Sequence, residues 1–245
     1  MGYNSDIITL QECDRKVFDR DLEPILGSVG VCGVFAKKGG QVDEGLATFY
    51  RRDKFELISF ESVFLPDALH TDPRYSYILD KVKNNDKLMN SLTNRTTTVS
   101  VAVLKHVVHN RYVNIDQLQL SISYHDLFCF SVVIVGNTHL YFEPNADHIR
   151  LIQTEMCRAE IERVKQRILS DNADTDVSLI FCGDFNSTPP FGVVEYLTSG
   201  IIPADHTDWR SQDGEEVTGL HLNHEPIFSS AAGTPQYTNY TQVTN

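Results

Sequence analysis

Cysteine is scarce and irregularly placed in this chain, which excludes two kinds of small protein. The 245 residues include five cysteines, an odd number, and no two of them form a Cys-x-x-Cys pair. Disulfide frameworks use even numbers of cysteines, and structural zinc sites use closely paired ones. The sequence therefore predicts neither and is typical of a reduced compartment. The cysteines are Cys13, Cys32, Cys129, Cys157 and Cys182.

Long apolar runs and a basic excess are also absent. No run of 18 apolar residues occurs, so we expect no membrane span. The net charge is −12, which argues against a large nonspecific nucleic-acid surface, because such surfaces are basic and displace counterions from phosphates. The charge is compatible with a cleft that binds a few nucleotides of a single-stranded end, and we expect no duplex DNA partner.

The rest of the composition predicts one α/β domain spanning residues 1–245. The chain is 41% hydrophobic and long enough to bury a sizeable core. Several strands follow one another without a helix between them, which favours mixed sheets with helices packed outside.

The polar segment Asp67–Leu92 is expected to be a solvated insertion or mobile loop. Strands are predicted at Asp6–Gln11, Leu46–Arg51, Phe55–Phe64, Thr97–Leu104, Gln117–Tyr124, Phe128–Asn137 and Val177–Cys182, and helices within Arg15–Leu26 and at His148–Leu169.

Three of these strands end in polar side chains of the kinds that serve phosphate chemistry. Asp184 and Asn186 follow the strand that ends at Cys182, Glu12 follows the first strand, and Asn137 and His139 end a strand in mid-chain. A carboxylate can take a proton from water or bind a hard cation such as Mg²⁺, and an amide can orient a nucleophile. Taken singly, each has a structural alternative: an Asx turn, a helix cap or an interior histidine.

Five segments of the chain resemble the endonuclease/exonuclease/phosphatase superfamily of Mg²⁺-dependent phosphodiesterases. Their order is most similar to the deadenylase branch, and Asp205–Trp209 and Tyr237–Tyr240 resemble its 2′,5′-phosphodiesterases, which trim oligoadenylates and poly(A). The fold implied is a four-layer, DNase I-like α/β sandwich, two mixed β-sheets face to face with helices on both outer faces. The five segments are Leu10–Glu12, Glu44–Arg51, Asn137–Phe142, Ile149–Gln153 and Gly183–Pro189.

The resemblance implies a role for each polar strand end. Glu12 would bind Mg²⁺, with Mn²⁺ as the alternative ion, and Asp184 would orient and deprotonate the attacking water. Asn186 would hold the phosphate or the water in line, while His139 and Asn137 would donate to phosphoryl oxygens. The implied substrate is oligoadenylate or the single-stranded 3′ end of poly(A) RNA. The implied location is the mitochondrial matrix, with the cytoplasm as the alternative.

The resemblance also implies that the chain is truncated at both ends. Family members begin with a strand that ends in Asn and finish with a strand that carries an Asp-His pair; the sequence contains neither strand. We therefore expect weak Mg²⁺ affinity, poor solubility and little activity from the chain alone. Two alternatives stay open: a phosphatase of the same superfamily acting on a small metabolite or lipid head group, and a catalytically inactive regulatory module.

Overall fold

The computed structural model describes residues 5–107, 131–225 and 228–231. The strands are β1 Ile7–Asp14, β2 Val31–Lys37, β3 Glu44–Arg51, β4 Phe55–Phe64, β5 Thr98–His106, β6 Ser131–His139, β7 Asp176–Asp184, β8 Ile201–Ile202 and β9 Leu222–Asn223. The α-helices are α1 Arg15–Val17, α2 Glu23–Ser28, α3 Leu65–Thr71, α4 Ser76–Val82, α5 Asp86–Thr93, α6 Asp147–Asp171 and α7 Gly192–Ser199. A π-helical turn, Phe18–Leu22, joins α1 to α2, and 3₁₀ turns form at Pro73–Tyr75 and Thr207–Arg210.

The chain divides into two compact units. The first comprises Met1–Val63, Thr98–Thr138 and Ala159–Gly183, and the second comprises Phe64–Thr97, His139–Arg158 and Asp184–Asn245. The expectation of one domain over residues 1–245 stays a prediction.

The first unit contains a three-stranded antiparallel sheet in the order β1-β3-β2. Its outer face is covered by the helical segment that begins at α1, for which Asp14 accepts hydrogen bonds from the backbone of Lys16 and Val17. Phe18 from this segment packs against Phe35 and Phe49 with ring centroids 5.3 and 5.4 Å apart. The helix predicted within Arg15–Leu26 is confirmed, with a π-helical middle.

A four-stranded sheet in the order β4-β5-β6-β7 forms the other half of the first unit. Strands β5 and β6 are antiparallel, with Val99 opposite Thr138. Strands β6 and β7 run in the same direction, since Gly136 lies against Phe181 and Thr138 lies against Gly183. This sheet is therefore mixed.

The two sheets pack face to face through a shared apolar cluster. Tyr50 of β3 belongs to this cluster together with Phe55, Ala102, Leu104 and Val135 of the second sheet. On the other face of the second sheet, α6 packs so closely at Ile161 that a side chain at Gly136 would lie 2.3 Å from it. The order helix, sheet, sheet, helix confirms the expected fold.

The second unit surrounds a buried carboxylate. Glu155 of α6 accepts hydrogen bonds from the hydroxyl groups of Tyr77 and Tyr196 and forms an ion pair with Arg158 at 2.7 Å. Burial, together with the nearby Glu155 charge, raises the pKa of both tyrosines. Both tyrosines therefore stay protonated and donate, as a buried carboxylate requires.

The strands predicted at Asp6–Gln11, Leu46–Arg51, Phe55–Phe64, Thr97–Leu104 and Val177–Cys182 are present, with ends shifted by up to three residues, and the long helix is confirmed as α6. The predicted strand Gln117–Tyr124 and the first three residues of Phe128–Asn137 lie outside the described residues. Strand β2 was not predicted; Gly33 interrupts its short apolar run, and glycine weakens a strand pattern.

The expectation of a solvated loop at Asp67–Leu92 is wrong. This segment forms α3, α4 and α5, and it buries Ile78, Val82 and Leu88 completely. Two pairs of apolar residues four apart, Ile78 with Val82 and Leu88 with Leu92, give each short helix one apolar face. The many polar residues between them obscured that spacing.

Two isoleucines that both lie in helices test this correction. We expect Ile78→Ala, in α4, to lower the free energy of unfolding by about 2–5 kcal/mol, because it leaves a cavity in a packed interior. Ile25→Ala, in α2, should change it by less than about 0.5 kcal/mol, because Ile25 is 65% exposed. Urea unfolding measures both values, and equal losses would restore the loop interpretation.

Candidate active site

Glu12 projects from a bulge in β1. Leu10 pairs with Ala47 and Cys13 pairs with Gly45, so two residues of β1 face a single residue of β3. Glu12 has a φ of 52°, a left-handed conformation that costs a non-glycine residue about 1 kcal/mol or more. Bulges redirect side chains, and the Glu12 side chain is exposed. The sequence therefore presents a carboxylate at the surface of the first unit.

Asn137 lies beside that bulge in the first unit and is fully buried. Its Nδ2 donates to the backbone oxygens of Leu10 at 3.3 Å and Ala47 at 3.1 Å, and its Oδ1 accepts from Gln11 Nε2 at 2.8 Å. The amide hydrogens of Asn137 are thus already engaged. Gln11, to which sequence reasoning assigned no role, is the residue that connects Asn137 to the bulge; its place in the segment Leu10–Glu12 is the signal that could have pointed to it.

His139 and Asp184 meet in the second unit as the last residues of β6 and β7. His139 Nε2 lies 3.9 Å from Asp184 Oδ2. The imidazole is 9% exposed and the carboxylate 51% exposed. The next residue of the chain holds the two ends together, since Leu140 donates its N–H to the Asp184 backbone oxygen at 2.9 Å. A sheltered imidazole and an accessible carboxylate face each other here.

Asn186 completes this group. Its N–H donates to Asp184 Oδ1 at 2.9 Å, and its Nδ2 donates to the Leu140 backbone oxygen at 2.8 Å. The first bond is the Asx turn that the Asp-x-Asn pattern offers as a structural alternative. The turn occupies one carboxylate oxygen and leaves Oδ2 on the side of His139. Asp184 can therefore form the Asx turn through Oδ1 and still act in catalysis through Oδ2.

The glycine before Asp184 is required by a close approach. Gly183 has a φ of 150°, and a Cβ at this position would lie 2.1 Å from the Thr138 backbone oxygen. Any side chain would push β7 away from β6 in the first unit. The Gly-Asp pair is thus a packing requirement as well as a motif.

The predicted residues therefore form two groups: Glu12 with Asn137 in the first unit, and His139, Asp184 and Asn186 in the second. Within the described parts of the chain, no cluster of three His, Cys, Asp or Glu side chains could hold a metal ion. A single exposed carboxylate still fits Mg²⁺, which binds through one or two carboxylates and takes its remaining oxygens from water and substrate phosphate. Glu12 has that character.

The second unit also contains a cleft of about 330 Å³. Its lining includes Tyr141, two residues after His139, and residues of the loop that leads into α6. Its walls are Ser91, Arg95, Tyr141, Glu143, Pro144, Asn145, Ala146, His148, Ile149, Gln212 and Glu215.

Curated proteins from other organisms are similar to this chain over almost its whole length. The chain is 37% identical over 239 residues to mouse 2′,5′-phosphodiesterase 12, covering 98% of this chain and 35% of that protein. It is 27% identical over 275 residues to the CCR4-Not complex 3′-5′-exoribonuclease subunit Ccr4 of Yarrowia lipolytica, covering 98% of this chain and 34% of that protein. The chain thus spans about a third of the length of these curated relatives.

A solved structure shares the fold. The crystal structure of ANGEL2, a 2′,3′-cyclic phosphatase, in complex with adenosine-2′,3′-vanadate superimposes with a TM-score of 0.64 at 20% identity, covering 98% of this chain and 64% of that one. The sequence pattern of the Endonuclease/Exonuclease/phosphatase family matches residues 2–245. With this match along almost its whole length, the chain belongs to the Endonuclease/Exonuclease/phosphatase family.

Proposed function

We propose that this chain carries the chemistry of a metal-dependent phosphodiesterase that releases 5′-AMP from the 3′ end of oligoadenylate or poly(A). The observation that supports it most is the group formed by His139, Asp184 and Asn186. The proposal is also supported by the likeness to a 2′,5′-phosphodiesterase and to a 3′-5′-exoribonuclease subunit. Because the chain spans about a third of those proteins, the activity of the whole protein is part of the proposal.

In this mechanism Asp184 acts as general base. Its Oδ1 is fixed by the Asn186 N–H, so Oδ2 is the oxygen that takes the proton from the attacking water. His139 lies 3.9 Å from that oxygen and donates to a phosphoryl oxygen. Asn186, whose Oδ1 has no hydrogen-bond partner among the described residues, holds the water or the phosphate in line.

In the first unit, Glu12 binds Mg²⁺, with Mn²⁺ as the alternative. When bound, the ion neutralises charge that develops on the phosphoryl oxygens. Asn137, expected from the sequence to donate to phosphate, is better assigned as a positioning residue, because its amide hydrogens bind the backbone oxygens of Leu10 and Ala47. It holds Gln11 in place, and Gln11 precedes the Glu12 ligand.

A mitochondrial location is also part of the proposal. It is supported only by the likeness to 2′,5′-phosphodiesterases, and cell fractionation against a matrix marker tests it. No helix in the described ranges is long and apolar enough to cross a membrane.

Two aspartates at opposite ends of β7 test the role of the general base. In the natural protein containing this sequence, Asp184→Asn should slow 5′-AMP release from 2′,5′-linked triadenylate by roughly 10²–10⁴-fold while substrate binding persists, because only the chemical step loses its base. Asp176→Asn, at the exposed start of the same strand, should leave the rate unchanged. Chromatography of the products measures both.

Three outcomes would contradict this proposal. Near-normal turnover by Asp184→Asn would require a different base. Release of inorganic phosphate from inositol phosphates or nucleotides, without 5′-AMP from triadenylate, would favour the small-metabolite phosphatase. No turnover of any of these substrates by the natural protein would favour the inactive regulatory module.

Calorimetry with Mg²⁺ tests Glu12 without relying on activity. We expect weak binding, in the millimolar range typical of a site with few carboxylates, and its loss in Glu12→Gln. Glu23→Gln, which alters an exposed glutamate of α2, serves as the control and should bind as the unmodified chain does. Binding that survives Glu12→Gln would remove Glu12 as the ligand.

A further inference from the structure

The cleft in the second unit contains Arg95, which has no anionic partner among the residues that the structure describes. The guanidinium carbon of Arg95 lies 3.9 Å from the centre of the Tyr141 ring. Its Nε is buried and, within the described ranges, has no hydrogen-bond partner, while its Nη1 reaches the Asn94 backbone oxygen at 3.4 Å. In the part of the chain that the structure describes, Arg95 forms no ion pair. Since a guanidinium has five N–H donors, most of them are available to a ligand.

Two hydrogen bonds anchor the backbone of Tyr141, whose ring lies beneath this guanidinium. Its N–H donates to Gln153 Oε1 at 3.0 Å, and its backbone oxygen accepts from Arg150 Nη1 at 3.1 Å. Both partners are buried side chains of α6. The anchored backbone and the ring stacked under the guanidinium limit the orientations open to Arg95, which reduces the entropy lost when a ligand binds.

The other charged groups at the cleft are largely neutralised. Arg150 pairs with Asp147 at 2.5 Å. Burial lowers the pKa of His148, whose Nε2 lies 3.3 Å from Glu215 Oε2. Glu215 is also 3.9 Å from Lys87 Nζ.

Glu143 remains as an exposed carboxylate on the wall of the cleft. Positive charge is thus confined to the Arg95 end, and a carboxylate lines another wall. A cleft with this distribution suits a ligand with one anionic group and disfavours a polyanion.

We propose that this cleft binds a non-scissile phosphate of the oligonucleotide substrate, with Arg95 as its ligand. The planar guanidinium matches two phosphate oxygens at once. Tyr141 lines the cleft, and the residue before it, Leu140, is hydrogen-bonded to both Asp184 and Asn186. The cleft wall thus follows directly in the chain on the residues proposed to hold the scissile phosphate, and the phosphate of the neighbouring nucleotide is the ligand assigned to Arg95. This inference rests on the proposed function and adds a contact that recognises substrates longer than two nucleotides.

Calorimetry in EDTA with 2′,5′-linked triadenylate tests the inference without metal or turnover. We expect Arg95→Met to weaken binding roughly 10- to 100-fold, because charge-assisted hydrogen bonds are lost, and Arg95→Lys to fall between. The control is Arg74→Met, since Arg74 also stacks on a tyrosine but pairs with Asp72. It should bind as the unmodified protein does. Adenosine, which has no phosphate, should bind equally to all four proteins.

Unchanged triadenylate binding by Arg95→Met would overturn the inference, as would an equal loss of adenosine binding. Titration with inorganic phosphate separates this failure from that of the proposed function. If triadenylate does not bind to the unmodified protein but phosphate binds in an Arg95-dependent way, the function fails and the anion site stands. If phosphate binding is absent or independent of Arg95, the site fails as well. Thermal melts check that each variant is folded. If Arg95→Met is unfolded, the comparison is made with Arg95→Lys instead.

Discussion

The hydrogen bonds of the buried Asn137 side chain are the interaction on which the positions of Gln11 and Glu12 in the first unit depend. One side chain binds the backbone oxygens of Leu10 and Ala47, which are paired with each other across β1 and β3, and it also binds Gln11. It thereby fixes β6 of one sheet against two strands of the other. Losing it would leave buried acceptors unsatisfied, at about 1–3 kcal/mol each. The bulge that directs Glu12 outward begins at Leu10, so core packing and the candidate metal ligand share this contact.

Backbone conformation marks the candidate sites independently of side-chain chemistry. Among the described residues, the non-glycine positions with positive φ are Glu12, Asn145 and Asn186. Glu12 is the candidate metal ligand, Asn186 holds the Asp184 carboxylate, and Asn145 lines the cleft that contains Arg95. Such conformations persist only where the surrounding structure imposes them, and they concentrate at functional sites. The three positions therefore support the same assignment as the charges and hydrogen bonds.

Much of this architecture could be predicted from the sequence, because strand length and apolar patterning carry the signal. The buried strands and α6 were found in this way, and the polar residues at three strand ends led to both groups of candidate site residues. Longer-range contacts could not be predicted. Nothing in the sequence indicates that the Asn137 amide group donates its hydrogen bonds to the backbone oxygens of Leu10 and Ala47. Nor does the sequence indicate that Arg95 stacks on Tyr141, 46 residues away. The helices of Asp67–Leu92 were missed because each is only two turns long, and so presents only one pair of apolar residues four apart.

The central claim is that His139, Asp184 and Asn186 hold a phosphoryl group for hydrolysis, and a crystal structure of the Asp184→Asn variant of the natural protein with Mg²⁺ and triadenylate tests it most directly. The account predicts a phosphate within hydrogen-bonding distance of His139, with a water or phosphate oxygen beside Asn186. Ordered triadenylate whose phosphates lie away from both residues would contradict it.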